Sequence, residues 1–127
     1  ELAQHIATIY YWYVGTFTKD EYDLATDQPE RGATTDLHAT LELFESNVEK
    51  ARQALQAISE SDLQDNWVMK SGDKVLMGPF ERGKVARSFL FNHLYHHRGE
   101  LVVYLRATGN QVPGLYGPTY EDSLRSD

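Results

Sequence analysis

The residues of this chain best suited to chemistry are its five histidines, and their positions matter more than their number. His93 and His97 stand four apart in a helical pattern, so their imidazoles lie one above the other on one face, ~5–6 Å apart at Cβ. That spacing suits chelation of one ion, because zinc and its neighbours take imidazole nitrogen at ~2.0–2.1 Å without rearrangement of the backbone. A third ligand has to come from another element. His5 is the only other histidine inside an apolar helical stripe. Three histidines with a fourth position open make a catalytic type of site rather than a closed structural one. The chain has no cysteine, which removes disulfides, thiolate nucleophiles and Cys-ligated metals.

Each of these histidines also has a plainer reading. One histidine on an apolar face is commonly a core residue satisfied by a carbonyl or a carboxylate, and a pair at helical spacing also arises by chance. Three inward-facing imidazoles are harder to dismiss, since burying them without a common partner is costly. His38 sits among polar neighbours at the start of a helix and reads as solvent-exposed. His96 lies one residue around from His97, beside Asn92 and Glu100, and reads as a residue behind the ligands or at a subunit contact.

The elements that must position these side chains follow from periodicity. Leu2, His5, Ile6, Ile9 and Tyr13 form one stripe of an amphipathic first helix that stops near Gly15. The next 18 residues, TKDEYDLATDQPERGATT, are polar and carry Pro29 and Gly32, so they read as a long loop. Thr34, Thr35 and Asp36 offer N-cap oxygens for a second helix. Leu37, Leu41, Phe44, Val48, Ala51, Leu55 and Ile58 mark its buried face. WVMK and KVLM around Ser71-Gly72-Asp73 read as a small β-hairpin. A third helix is expected from about Lys84 to Thr108, with the stripe Val85, Phe89, His93, His97, Leu101 and Tyr104 and a stop at Gly109. The tail NQVPGLYGPTYEDSLRSD reads as ordered coil rather than a fourth helix. Tyr10, Tyr11, Trp12 and Tyr13 sweep most of a helix circumference, which puts part of this run outside the core, at a dimer contact or against a further helix.

Composition narrows the function classes. At 127 residues, 41% of them hydrophobic, the chain is expected to form one domain, 1–127, with a real core. A net charge of −7 argues against a nucleic-acid binder, which concentrates Lys and Arg to displace counterions. No apolar run approaches the ~18–20 residues of a membrane span, and Glu1 opens no signal-peptide pattern; a soluble, cytoplasmic protein without a membrane partner is the expectation.

The stretch FNHLYHHRGELVVYLRATGNQVPGLYGPTYED closely resembles the C-terminal signature of the DinB family. There an Asn-His on the last helix is followed by His-Arg-Gly, a Tyr-Leu-Arg segment and a Pro-Gly-Tyr-Gly-Pro tail. ELAQHIATIYYW resembles the helix that carries the family's first histidine ligand. Specific similarity covers roughly a third of the chain. By this resemblance the metal ligands are His5, His93 and His97, and His96 does not ligate. The resemblance implies an all-α, up-and-down four-helix bundle, commonly dimeric, with the metal at one end and its open position facing a pocket. The family's first helix is then missing from this chain, ahead of Glu1, and the hairpin lies between the last two helices.

Members of that family and their relatives include thiol S-transferases using bacillithiol or mycothiol, a thiol-dependent isomerase, and many proteins without known activity. The resemblance thus carries the metal site further than it carries a reaction. One expectation is a metal-dependent enzyme, a thiol S-transferase or a hydrolase, that activates a thiol or water nucleophile for a small-molecule substrate. The other is a non-catalytic metal-binding or stress-response protein in which the ion is structural, since the sequence shows no nucleophile, phosphate loop or separate general base. A third reading has three buried histidines and no metal. Zinc or nickel is expected first, with iron, cobalt and copper also suited to three imidazoles. Arg98 is a candidate for an anionic group or a surface salt bridge, and Glu121 and Asp122 for hydrogen bonds from a ligand imidazole or for a solvated tail. A homodimer is expected.

Overall fold

The computed structural model describes residues 1–29 and 36–124. The first helix, α1 (Leu2–Thr18), buries Ile6, Ile9, Tyr13 and Phe17. It runs on past Gly15, which is therefore not a stop. Gly15 lies in the helix where the Tyr22 ring packs onto it, and a Cβ there would collide with that ring. A close approach of a side chain, not a break, explains this glycine.

The segment expected to be a plain loop carries a short strand, β1 (Glu21–Asp23). Tyr11 and Lys19 both bond to Asp27 and tie the following turn back to α1. Of the expected caps for the second helix, Thr34 and Thr35 lie outside the described residues. Asp36 does cap α2 (Leu37–Ala57), its carboxylate accepting from the backbone N–H of His38 at 2.9 Å and of Ala39 at 3.2 Å. The buried face of α2 differs from the expected leucine stripe. Of the expected residues only Ala51 is fully buried, beside Thr40, Asn47 and Ala54, while Leu37 is 68% exposed and Leu41 and Leu55 are exposed as well. Small residues let α1 approach closely, and Asn47 donates from Nδ2 to the Ala7 carbonyl at 3.0 Å. Leu37, Leu41 and Phe44 instead line an apolar hollow of about 210 Å³ with Ala3, Ile6 and Leu101.

The expected hairpin is present as β2 (Asn66–Ser71) and β3 (Lys74–Glu81), joined through Gly72 at φ 58°. The all-α expectation, however, is overturned. β1 pairs in parallel with β2, Tyr22 opposite Met69, and the result is a three-stranded mixed sheet in the order β1-β2-β3. Three residues are too few to show alternation, and what makes them a strand is the free edge of β2 beside them. Tyr22, Trp67 and Met69 of the sheet form one core cluster with Val85, which follows β3. A second, larger cluster joins Ile9, Tyr13 and Phe17 of α1 to Ala51, Ala54, Ala86 and Leu90.

After β3 the chain turns directly into α3 (Arg82–Val85), a π-helical segment Ala86–Phe91, and α4 (Asn92–Ala107), with right-handed helical backbone at both junctions. This matches the expected third helix in extent but not in regularity. Wider i→i+5 turns just before His93 shift the phase of α4 relative to α3. Val85, Ala86 and Leu90 are buried, His93, His97 and Leu101 are half-buried, and Tyr104 is 64% exposed. The tail is not coil throughout: α5 (Tyr120–Ser123) forms one turn under a capping box between Thr119 and Asp122. Among the described residues the helical layer thus has three long helical runs rather than the four of an up-and-down bundle, and no helix is long and apolar enough to cross a membrane.

Arg82 fixes the corner where β3 becomes helix. Its side chain is 4% exposed and donates to the carbonyls of Thr16 (2.7 Å), Lys19 (2.9 Å) and Asp62 (3.1 Å) and to the Asp20 carboxylate (2.7 Å). The C-terminal end of α1 is thereby bound to the start of the run that carries the histidine pair.

Candidate metal centre

His5 projects from α1 and His93 and His97 from α4, and the three rings converge through Nε2. His5 Nε2 lies 3.2 Å from His93 Nε2 and 3.1 Å from His97 Nε2, and all three are half-buried. A tetrahedral ion with bonds of ~2.0–2.1 Å separates its ligand nitrogens by about 3.3–3.4 Å, so the observed spacing is close to that of a ligand set. The donor chemistry agrees. One proton between two of these nitrogens can serve only one pair, whereas a cation satisfies three lone pairs at once. The residues present therefore fit a divalent transition metal.

Two different devices hold the rings. His97 Nδ1 lies 2.7 Å from Glu100 Oε2, one turn on along α4. Glu100's carboxyl is held below the usual carboxylate range chiefly by that hydrogen bond. His93 is held by stacking: Trp12 lies nearly parallel to it (centroids 5.5 Å, 17° between planes), and Phe89 is 5.6 Å away. Trp12 and Phe89 also stack on each other and pack against both core clusters, so the sheet supports the ring of His93 through them. Among the described residues His93 Nδ1 is buried without a hydrogen-bond partner. Burial above all, and then the neighbouring charges of His97, His5 and His96, push the His93 pKa down to about 4. A metal-free site consequently keeps this imidazole neutral at physiological pH, the form that ligates.

Other candidates from the sequence are placed elsewhere. His38 is exposed at the start of α2, 3.4 Å from Glu42. His96 stands behind His97, with Nε2 3.2 Å from Glu100 Oε1. Arg98 has no salt bridge among the described residues; its guanidinium lies over the rings of Tyr95 (5.1 Å) and Tyr116 (5.0 Å) and bonds to the Tyr116 hydroxyl. Glu121 pairs with Arg106 at 3.5 Å and Asp122 caps α5, so the carboxylate beside an imidazole of the cluster is Glu100 instead. Nor does the Tyr10–Tyr13 run form an exposed patch. Tyr10 packs on Phe44 and Tyr13, Tyr11 bonds to Asp27, Trp12 meets His93, and Tyr13 is buried.

Sequence reasoning missed Glu100, Trp12 and Phe89 as parts of the site. Spacing contained the signal for all three: Glu100 is three residues after His97, Phe89 four before His93, and Trp12 seven, or two turns, after His5.

In comparison with known proteins, residues 1–126 match the DinB family. The chain belongs to the DinB family. Over 34 residues this DinB-family chain is 50% identical to "Uncharacterized protein YrdA" of Bacillus subtilis (strain 168), a stretch that makes up 27% of the chain and 20% of that protein. No solved structure matches the chain.

Proposed function

We propose that this DinB-family chain holds one divalent transition metal, zinc or nickel before iron, cobalt or copper, through His5, His93 and His97, and serves as a metal-dependent enzyme of the thiol S-transferase or hydrolase type. The observation that carries the reading is the convergence of three imidazole Nε2 atoms from helices far apart in the chain. Three neutral ligands leave the ion its full charge, and the chemistry it supplies when bound is activation of a thiol or water nucleophile at neutral pH. The protein's own part is orientation. Trp12 and Phe89 fix the ring of His93 and keep water from its face. Glu100, 2.7 Å from His97 Nδ1, holds the ring of His97 in place.

Elemental analysis of the purified protein beside a His93→Ala, His97→Ala double variant tests the site. The expected result is about one equivalent of transition metal in the parent and none in the variant. A parent that takes up neither zinc nor nickel on reconstitution would overturn the reading. Catalysis is tested by screening low-molecular-weight thiols with electrophiles; turnover that survives His97→Ala would exclude the metal as its source.

A structural role for the ion is the second reading. It is favoured by the 88 residues that separate His5 from His93, because an ion bridging them staples α1 to α4. In that case chelation lowers thermal stability while the same screen shows no turnover.

A further inference from the structure

We propose that Glu100 is the positioning residue of the three-histidine site: it selects the tautomer of His97 and is itself clamped by His96. The inference about metal affinity rests on the metal reading above, while the tautomer is a property of the protein alone.

The geometry engages both oxygens of one carboxylate. Oε2 lies 2.7 Å from His97 Nδ1, and Oε1 lies 3.2 Å from His96 Nε2. The two histidines are consecutive, three and four residues before Glu100, so both reach the same point one helical turn on. A free neutral imidazole carries its proton on either nitrogen. Opposite a carboxylate, which has no proton to give, His97 must carry it on Nδ1, and its Nε2 then faces His5 and His93 as a lone pair. His93 has no equivalent partner among the described residues and depends on the stack with Trp12 and Phe89. Carboxylate support therefore enters the triad through His97 rather than His93. His96 gains a role that ligation does not give it: its Nε2 stands beside the second oxygen and biases the carboxylate, 43% exposed, towards the helix.

The test uses Glu100→Ala, Glu100→Gln and His96→Ala in the full chain, each checked for folding by circular dichroism. Nitrogen-15 NMR of the metal-free proteins near pH 8 reads the tautomer. The parent and Glu100→Gln, whose amide oxygen still accepts, are expected to show His97 protonated on Nδ1, and Glu100→Ala a mixture of both forms. Zinc affinity by chelator competition is expected to fall ~10- to 100-fold in Glu100→Ala, with Glu100→Gln in between because orientation is kept and charge is lost. His96→Ala is expected to weaken zinc binding by a smaller factor than Glu100→Ala. An unchanged His97 tautomer in Glu100→Ala, or zinc affinity within about twofold of the parent, would overturn the proposal. If the parent binds no zinc, the metal reading falls by itself, and the tautomer comparison still decides the role of Glu100.

Discussion

Replacing Arg82 by alanine should be among the most damaging single changes outside the histidine site. Its guanidinium makes four hydrogen bonds, three of them to main-chain carbonyls at Thr16, Lys19 and Asp62, and it is almost wholly buried. Hydrogen bonds from a charged donor are worth ~1.5–3 kcal/mol each and are not additive, and a buried carbonyl left without its donor costs ~1–3 kcal/mol. We expect Arg82→Ala to lose about that much, a large part of the ~5–15 kcal/mol that holds a domain of this size together. Two companion variants separate the sources. Asp20 is 87% exposed, so Asp20→Asn should cost less than ~1 kcal/mol, because the salt bridge is the weak part and the carbonyls the strong part. Arg82→Lys should lose about half the effect of alanine, since one ammonium cannot reach three carbonyls that diverge from a planar fork. Urea unfolding followed by circular dichroism measures all three. A loss below ~1 kcal/mol for Arg82→Ala, or a loss for Asp20→Asn equal to it, would refute the reasoning.

The packing and the site lead to three further expected outcomes. Gly15→Ala should destabilise by ~1–3 kcal/mol or more through overpacking against the buried Tyr22 ring, and a thermal melt within a degree or two of the parent would show that the ring can move aside. Stability of the metal-free protein should depend on His93 below neutrality. The folded pKa, about 4, lies below the unfolded value of ~6.5, so the unfolded chain binds the extra proton; stability is complete above ~6.5 and falls as pH drops towards 4. Urea midpoints across that range should therefore fall more steeply for the parent than for His93→Leu. Chelation of a metal-loaded sample should lower stability by ~2.7 kcal/mol where free metal had stood at a hundred times its dissociation constant, and a calorimetric scan unaffected by chelator would exclude linkage between the ion and the fold.

Much of the site could be read from the sequence because the residues concerned are helical. A period of 3.6 turns a spacing of four into a shared face, so His93 with His97 needs no tertiary information, and His5 is selected by the apolar stripe around it. The hairpin was equally legible, since its turn and both β-prone runs are local. Where local pattern failed, the cause lay in neighbours distant in sequence. β1 is a strand only because β2 offers an edge, and Gly15 is small because Tyr22 packs on it rather than because a helix ends there. The face of α2 against α1 shares Ala51 with the expected stripe, but Thr40, Asn47 and Ala54 were chosen for close approach and one hydrogen bond, which hydrophobic periodicity does not record.

By itself, then, the sequence determined which residues are ligand types, which of them share a face, and the family to which that constellation belongs. Tertiary structure decided that His5 meets the pair, that Trp12 and Phe89 clamp one imidazole, and that Glu100 rather than Glu121 or Asp122 stands behind another. The physical reason is range. Helical phase is fixed by backbone geometry over a few residues, whereas the approach of His5 Nε2 to 3.1–3.2 Å from the other two nitrogens depends on the mixed sheet, the π-helical segment and Arg82 setting two helices against each other.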